Sequence, residues 1–226
     1  FDRVVHVLHG PPGEDGILQG ACALQGLPLT GSGLQASANA MDKVATKALW
    51  RQLGLPVAQD YVLEPGQPVD VDAILGVVGL PVFVKPAQEG SSVGVSRVDS
   101  VEDLKTAIET ARQSPGAVLI EAECTGGEYT AGVIGETWLP LIRIESTHAF
   151  YDYDAKYVSD DTSYHIPCGL PAEQEAALVD LARRAYRKLG CSGWGRVDLM
   201  LDADGEARLI EVNTTPGMTT HSLVPK

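Results

Sequence analysis

The chain has no run approaching the roughly 20 apolar residues that a membrane-spanning helix requires. No basic start followed by an apolar stretch marks a secretory leader. The four cysteines, Cys22, Cys124, Cys168 and Cys191, lie far apart and form no C-x-x-C pair. That spacing argues for buried, reduced thiols in a cytoplasmic protein rather than a disulfide framework. The histidines show neither H-x-x-x-H nor H-E-x-x-H spacing. Basic residues are scarce: 17 Lys and Arg stand against 30 Asp and Glu, for a net charge of −13. An acidic surface disfavours nucleic-acid phosphate and anionic membranes, so neither is expected as a partner. Any anion that does bind must be met by a local cluster of cations. Internal repeats and low-complexity segments are absent.

What remains is an ordinary globular composition, 44% hydrophobic and 21% charged over 226 residues. That length supports a core and accommodates one large domain or two or three small ones. Strands are expected at 4–8, 57–63, 81–85, 93–98, 117–123, 128–135 and 139–145. Helices are expected at about 16–25, 37–53, 70–78, 100–113 and 172–189. Residues 149–166, polar and aromatic without a clear period, read as a long loop of the functional kind. Hairpins dominate the second half, which argues for an α+β fold with antiparallel sheets. The chain opens in mid-strand without a methionine and stops at Lys226 without a closing helix. The source protein is therefore expected to be longer at both ends.

The segment Gly195 to Asn213 reads as one β-hairpin with a charged face. Val197, Leu199 and Leu201 alternate with Arg196, Asp198 and Met200. With Asp204 and Gly205 as a two-residue turn, Asp198 falls opposite Glu211 and Arg196 opposite Asn213. Facing carboxylates repel unless something positive sits between them. Oxygen ligands from Asp198, Glu211 and Asn213 suit a hard cation such as Mg²⁺. A solvated charged face is the equally weighted alternative, and a three-residue turn would flip the two acids apart.

Other candidates are weaker singly. Glu89 to Gly94 is a Gly- and Ser-rich turn whose amides and hydroxyls, Ser91 and Ser92, could surround a phosphate. It is not a P-loop, because no G-K-[ST] follows. Lys85 ends an apolar strand close to it and can offer a phosphate a point charge. Lys43 reads alone as a solvated helix lysine. Lys156 sits in the aromatic, charged run from Tyr151 to Tyr157. Glu121 could accept from an adenine amino group and Glu128 from ribose hydroxyls, although each acid alone is more often surface charge.

Taken in order, several strings resemble the ATP-grasp carboxylate–amine ligases, and within them the D-alanine–D-alanine ligase family. They are His9 to Gly16, Thr30 to Gly33, Met41 to Lys43, Val84 to Pro86, Glu89 to Gly94, Phe150 to Tyr157, Gly195 to Asp198, Glu211 to Gly217, and Ser222 with Leu223. The resemblance implies an ATP-grasp fold in which two antiparallel-sheet subdomains clasp ATP. Their expected bounds are 34–122 and 123–226, with 1–33 as the remnant of an α/β N-terminal domain. It implies ATP-dependent joining of two D-alanines through an acyl phosphate, for peptidoglycan precursors. By the same resemblance, Lys43, Lys85, Ser91 and Ser92 would meet the ATP phosphates, with Lys156 reaching in from its loop. Glu121, Glu123 and Glu128 would hold adenine and ribose. Asp198, Glu211 and Asn213 would bind two Mg²⁺ or Mn²⁺. Arg196 and the Gly217 amide would stabilise the developing oxyanion, and Ser91 and Tyr157 would complete the catalytic set. His9, Tyr157, Arg196, Gly217, Ser222 and Leu223 would line the D-alanine sites. Tyr157 goes in the family with D-alanine as second substrate, phenylalanine with D-lactate. A cytoplasmic homodimer is implied. The alternatives are a D-alanine–D-lactate ligase, another ATP-grasp ligase, or a silent nucleotide-binding module. Pro11-Pro12 and the lack of the family's N-terminal glycine-rich turn before Phe1 depart from the pattern.

Overall fold

A computed structural model describes residues 2–90, 92–146, 162–220 and 222–226. Six helices and ten strands occur among them: α1 (Ile17–Leu24), α2 (Leu34–Met41), α3 (Lys43–Gln52), β1 (Asp60–Leu63), α4 (Val71–Val78), β2 (Val82–Pro86), β3 (Ser96–Val98), α5 (Val101–Ala111), β4 (Val118–Ala122), β5 (Gly127–Ile134), β6 (Thr137–Trp138), β7 (Ile142–Ser146), β8 (Thr162–His165), α6 (Ala172–Lys188), β9 (Trp194–Leu201) and β10 (Ala207–Asn213). No helix among the described residues is long and apolar enough to cross a membrane.

Two antiparallel sheets result. The first runs β1-β4-β2-β3, and the second runs β10-β9-β5-β7-β8 with β6 on β5. Alternation along each strand decides its faces. In the first sheet Val82, Val84, Val118 and Ile120 pack on α4 and α5 through Ile74, Leu104 and Ile108. In the second, Tyr129, Ala131, Val133, Val197, Leu199 and Leu209 pack under α2, α3 and α6 through Trp50, Leu178, Leu181 and Ala185. Helix α6 carries Glu173 and Glu175 in its first turn and Arg187 and Lys188 in its last, matching the helix dipole. The α+β architecture is as expected.

Several element readings need correction. The expected helix 37–53 is two helices, broken at Asp42, whose extended backbone (φ −97°, ψ 104°) caps α3. Its Oδ1 accepts from the Ala45 amide (3.0 Å), which satisfies an otherwise orphaned donor. Residues 4–8 make only a single bridge, Val4 to Leu29, and Val5, Val7 and Leu8 are exposed. The strand expected over 93–98 is only Ser96–Val98, because residues 92–94 are a turn. The strand expected over 139–145 begins at Ile142, after Pro140. Of the long loop expected over 149–166, residues 149–161 lie outside the described residues, and Thr162–His165 is a strand paired with β7.

The turn of the β9–β10 hairpin also differs. Ala203, Asp204 and Gly205 form a three-residue turn, closed by the Asp202 amide on the Glu206 carbonyl (2.9 Å), with Gly205 left-handed (φ 79°). Leu209 accordingly pairs with Leu199, one step out of the expected register. A β-bulge at Ile210 then restores it, so that Glu211 pairs with Asp198 and Asn213 with Arg196.

Candidate active site

The non-core faces of the two sheets enclose a cleft of about 630 Å³. On the first sheet, residues of the parity opposite to Val82 and Val84 point into it. Asp60 pairs with Glu121, Glu121 with Phe83, and Phe83 with Arg97, making one cross-strand row. Phe83, Glu121 and Arg97 line the cleft, with Lys85 one step along. Lys85 Nζ donates to Glu121 Oε2 (2.5 Å), and Lys47 of α3 bonds the other oxygen, Oε1. Burial alone would drive the Lys85 ammonium to release its proton; Glu121, by charge and hydrogen bond, outweighs it, and the net shift is upward. Burial alone would likewise protonate Glu121, but Lys85 and Lys47 hold its carboxyl below the usual carboxylate range. Glu123, beyond the end of β4, receives a two-point grip from Arg97 (2.7 and 3.1 Å). Cys124 also lines the cleft, its thiol pushed up to about 11, chiefly by burial. All four cysteines are buried and free.

The second sheet presents Glu128, Thr130, Arg196, Asp198 and Met200, the residues alternating with its core set. Thr130, Asp198 and Glu211 form one row across β5, β9 and β10, and Gly132, Arg196 and Asn213 form the next. Thr130 Oγ1 donates to Asp198 Oδ1 (2.6 Å). Arg196 Nη1 lies 3.0 and 2.9 Å from the two Asp198 oxygens. Lys43 Nζ donates to the Glu89 carbonyl (2.7 Å) and stands 3.5 Å from Glu211 Oε2. Asn213 Oδ1 accepts from the Thr215 amide (3.1 Å), which bends the chain after β10 toward Gly217. Among the described residues no group of three or more His, Cys, Asp or Glu is gathered to hold a metal. The hairpin's donor set is two carboxylates and one amide.

A second cavity of about 470 Å³ adjoins the first. His9, Arg196, Glu211, Asn213, Gly217, Ser222 and Leu223 line it. Lys43, Arg196 and Glu211 line both cavities. Ser222 Oγ accepts from the Thr219 amide (3.0 Å) and approaches Gly217 so closely that a Cβ there would overlap it.

The family model of the D-Ala D-Ala ligase C-terminus matches residues 49–226. The chain is 52% identical to D-alanine–D-alanine ligase B of Chromobacterium violaceum over 225 residues, all of this chain and 74% of that protein. It is 50% identical to the D-alanine–D-alanine ligase of Haemophilus influenzae over 228 residues, all of this chain and 77% of that one. The chain belongs to the D-alanine–D-alanine ligase family. Among solved structures, the Bacillus anthracis D-alanine–D-alanine ligase complexed with ATP superposes with a TM-score of 0.86 at 32% identity, over 99% of this chain and 72% of that one. The VanG D-Ala:D-Ser ligase of Enterococcus faecalis gives 0.86 at 34%, over 99% and 66%. The expected fold, family and C–N ligase activity are met.

Within this family member, the structure brings Lys43, Lys85, Ser92, Glu121, Glu123, Glu128, Asp198 and Glu211 to one cleft. It brings His9, Asn213, Gly217, Ser222 and Leu223 to the adjoining cavity, with Arg196 serving both. Ser91, Lys156 and Tyr157 lie outside the described residues. Lys47, Phe83, Arg97, Thr130 and Ile210 join the expected residues at the site. Parity with Lys85 along β2 and with Glu128 along β5 points to Phe83 and Thr130, and Lys47 falls one helical turn after Lys43. Ile210 is bulged and has no such signal.

Proposed function

We propose that the protein joins two D-alanines into D-alanyl-D-alanine with conversion of ATP to ADP and phosphate, through an acyl phosphate, in peptidoglycan precursor synthesis. The observation that carries this reading is the shared wall of the two cavities. Lys43, Arg196 and Glu211 face both, so the phosphate end of a nucleotide in one would meet a small carboxylate in the other. The adenine would lie between Phe83 of the first sheet and Met200 and Ile210 of the second. Glu128 would accept from the ribose, and Glu121 and Glu123 would border the base with charges already drawn toward their cations. Lys43, Lys85, Ser92 and, with Lys156, Ser91 would hold the phosphates.

The carboxylate of the first D-alanine would attack the γ-phosphorus, and the bond to ADP would break. The amine of the second would then attack the acyl carbon, and phosphate would leave. Arg196 would neutralise the acyl phosphate and the tetrahedral oxyanion, to which the Gly217 amide would donate. Ser222 and the Leu223 amide would hold the second substrate's carboxylate, and His9 would face the substrates. Asp198, Glu211 and Asn213 offer only oxygen donors, which suits a hard divalent cation. Two Mg²⁺ (or Mn²⁺) held there would neutralise charge on the transferring phosphoryl oxygens. Tyr157 selects D-alanine over D-lactate as second substrate, so Tyr157→Phe is expected to raise ester formation, read by product analysis.

The deciding experiment is phosphate release by the full-length protein. Release that requires D-alanine, ATP and Mg²⁺ together, with dipeptide as product, is expected. Release without D-alanine would make it an ATPase, and no release would favour a silent nucleotide-binding module. We further propose a cytoplasmic homodimer; the exposed Ile17 and Leu24 of α1 are apolar side chains that a partner surface would cover. Sedimentation of the full-length protein as a monomer would end that proposal.

A further inference from the structure

Helix α3 carries Lys43, Lys47 and Arg51 at four-residue spacing, hence along one side. Each meets an acid or acceptor of a different element. Lys43 reaches Glu89 and Glu211, Lys47 reaches Glu121, and Arg51 reaches Asp60 through both oxygens (2.7 Å each). Lys47 is the unusual one. Its side chain is 1% exposed, with Asp60 4.0 Å away on one side and Glu121 on the other. Glu121 in turn holds Lys85 (2.5 Å) at the wall of the nucleotide cleft. Five charges thus run from solvent at Arg51 to the cleft at Lys85.

Burying a lysine is costly and must be compensated. The need to bury Glu121 does not by itself account for Lys47, because Lys85 alone would neutralise that carboxylate. A lone Lys85–Glu121 pair, however, carries no net charge and would offer little to a phosphate. With Lys47 on the other carboxylate oxygen, the buried triad has two ammonium groups for one carboxylate. Counting Asp60 and Arg51, three cations face two acids, and the surplus positive charge ends at Lys85. The geometry adds to this. Each Glu121 oxygen takes one lysine, so Lys85 is held by a single oxygen and keeps two donor hydrogens for the cleft.

We propose that Lys47 is a positioning residue for nucleotide binding. It neutralises Glu121, so that Lys85 presents a net positive charge and a fixed direction to the phosphates. The inference rests on the proposed contact between Lys85 and the nucleotide phosphates.

The test uses the full-length protein with Lys47→Met, Lys85→Met and the double variant Lys47→Met/Glu121→Gln. The KM for ATP, the KM for D-alanine and the inhibition constant of adenosine, which lacks phosphates, are measured for each. Lys47→Met is expected to raise the KM for ATP about 10- to 100-fold, the loss of one charge-assisted contact, with adenosine and D-alanine constants unchanged. The double variant restores one net positive charge; because Glu121 also borders the base, its readout is the ratio of the ATP to the adenosine constant, which is expected to return most of the way to the wild-type value. A merely structural role would weaken adenosine and ATP alike and would not be rescued by Glu121→Gln; that result overturns the inference. If Lys85→Met weakens ATP and Lys47→Met does not, the inference fails while the nucleotide reading stands. If Lys85→Met leaves ATP unaffected, the phosphate reading of Lys85 itself falls. Should Lys47→Met not fold, the double variant, which leaves no carboxylate unpaired, carries the test alone. Weak ATP binding with normal adenosine binding in that variant overturns the inference.

Discussion

Glu121 is buried and yet ionised because two ammonium groups share it. Its carboxyl is held below its ordinary 4.5, chiefly by Lys85 and Lys47 working against burial. The unfolded chain therefore binds a proton before the native state does. Stability from Glu121 is fully present above about pH 4.5 and is lost as pH falls through the lower, native value. Lys85 is raised above 10.5, so its contribution is fully present below that pH and is lost as pH rises through the native value. Glu121→Gln strands two buried cations and is expected to cost about 3–5 kcal/mol at neutral pH. It should also flatten the acid limb of stability. Urea unfolding between pH 3 and 7 reads both; an unchanged acid limb would show that the Glu121 pairing contributes nothing.

The elements that aim these side chains are held by small local devices. Asp42 breaks what reads as one helix into α2 and α3, and so starts α3 at Lys43, beside the cleft. Its Oδ1 caps the Ala45 amide while Oδ2 accepts from Gln88 Nε2 (2.9 Å). Asp42→Ala should cost about 0.5–2 kcal/mol of stability as a lost cap. It should also raise the KM for ATP, since Lys43 loses its fixed start; denaturant unfolding and steady-state kinetics check the two effects separately. The period-two pattern of β9 and β10 was legible in the residues, and Arg196, Asp198, Glu211 and Asn213 lie where it puts them. The turn was not, for a physical reason. Asp202 Oδ1 accepts from the amides of Asp204 (3.0 Å) and Glu206 (2.9 Å), which favours a wider loop than Asp-Gly alone. The added residue is then cancelled by the bulge at Ile210, where the Leu209 amide donates to the Pro56 carbonyl (2.9 Å). Pro56 is distant in sequence, so nothing local in β10 announces the bulge. Asp198 and Glu211 thus face each other through two departures that offset one another. Lys47 and Arg97 went unread for a related reason. Each is an ordinary surface residue type, and only the packing of α3 and the pairing of β3 bring them to Glu121 and Glu123.

At the scale of the whole molecule, the two sheets keep separate apolar cores, one around Ile74, Ile108 and Ile120, the other around Trp50, Leu181 and Leu199. What lies between them is the cleft, walled by charged and polar groups. Links between the two include Lys47 and Arg51 of α3 to Glu121 and Asp60, Lys43 to the Glu89 carbonyl, Asp42 to Gln88, and the docking of Val57 on Leu209. A ligand that touches both walls should therefore couple two units whose cores do not depend on each other. ATP analogue with Mg²⁺ at about 100 times its dissociation constant adds about 2.7 kcal/mol of stability. For a chain of this size that corresponds to a rise in Tm of about 5–10 °C. The more discriminating measurement is hydrogen exchange on the full-length protein. A nucleotide seated between the sheets should slow exchange in β2 and β4 of the first and in β9 and β10 of the second together. The outer strands β1 and β8, away from the cleft lining, should change less. Protection confined to the first sheet would place the nucleotide against that wall alone. It would leave Asp198 and Glu211 on the opposite wall without a phosphate to serve.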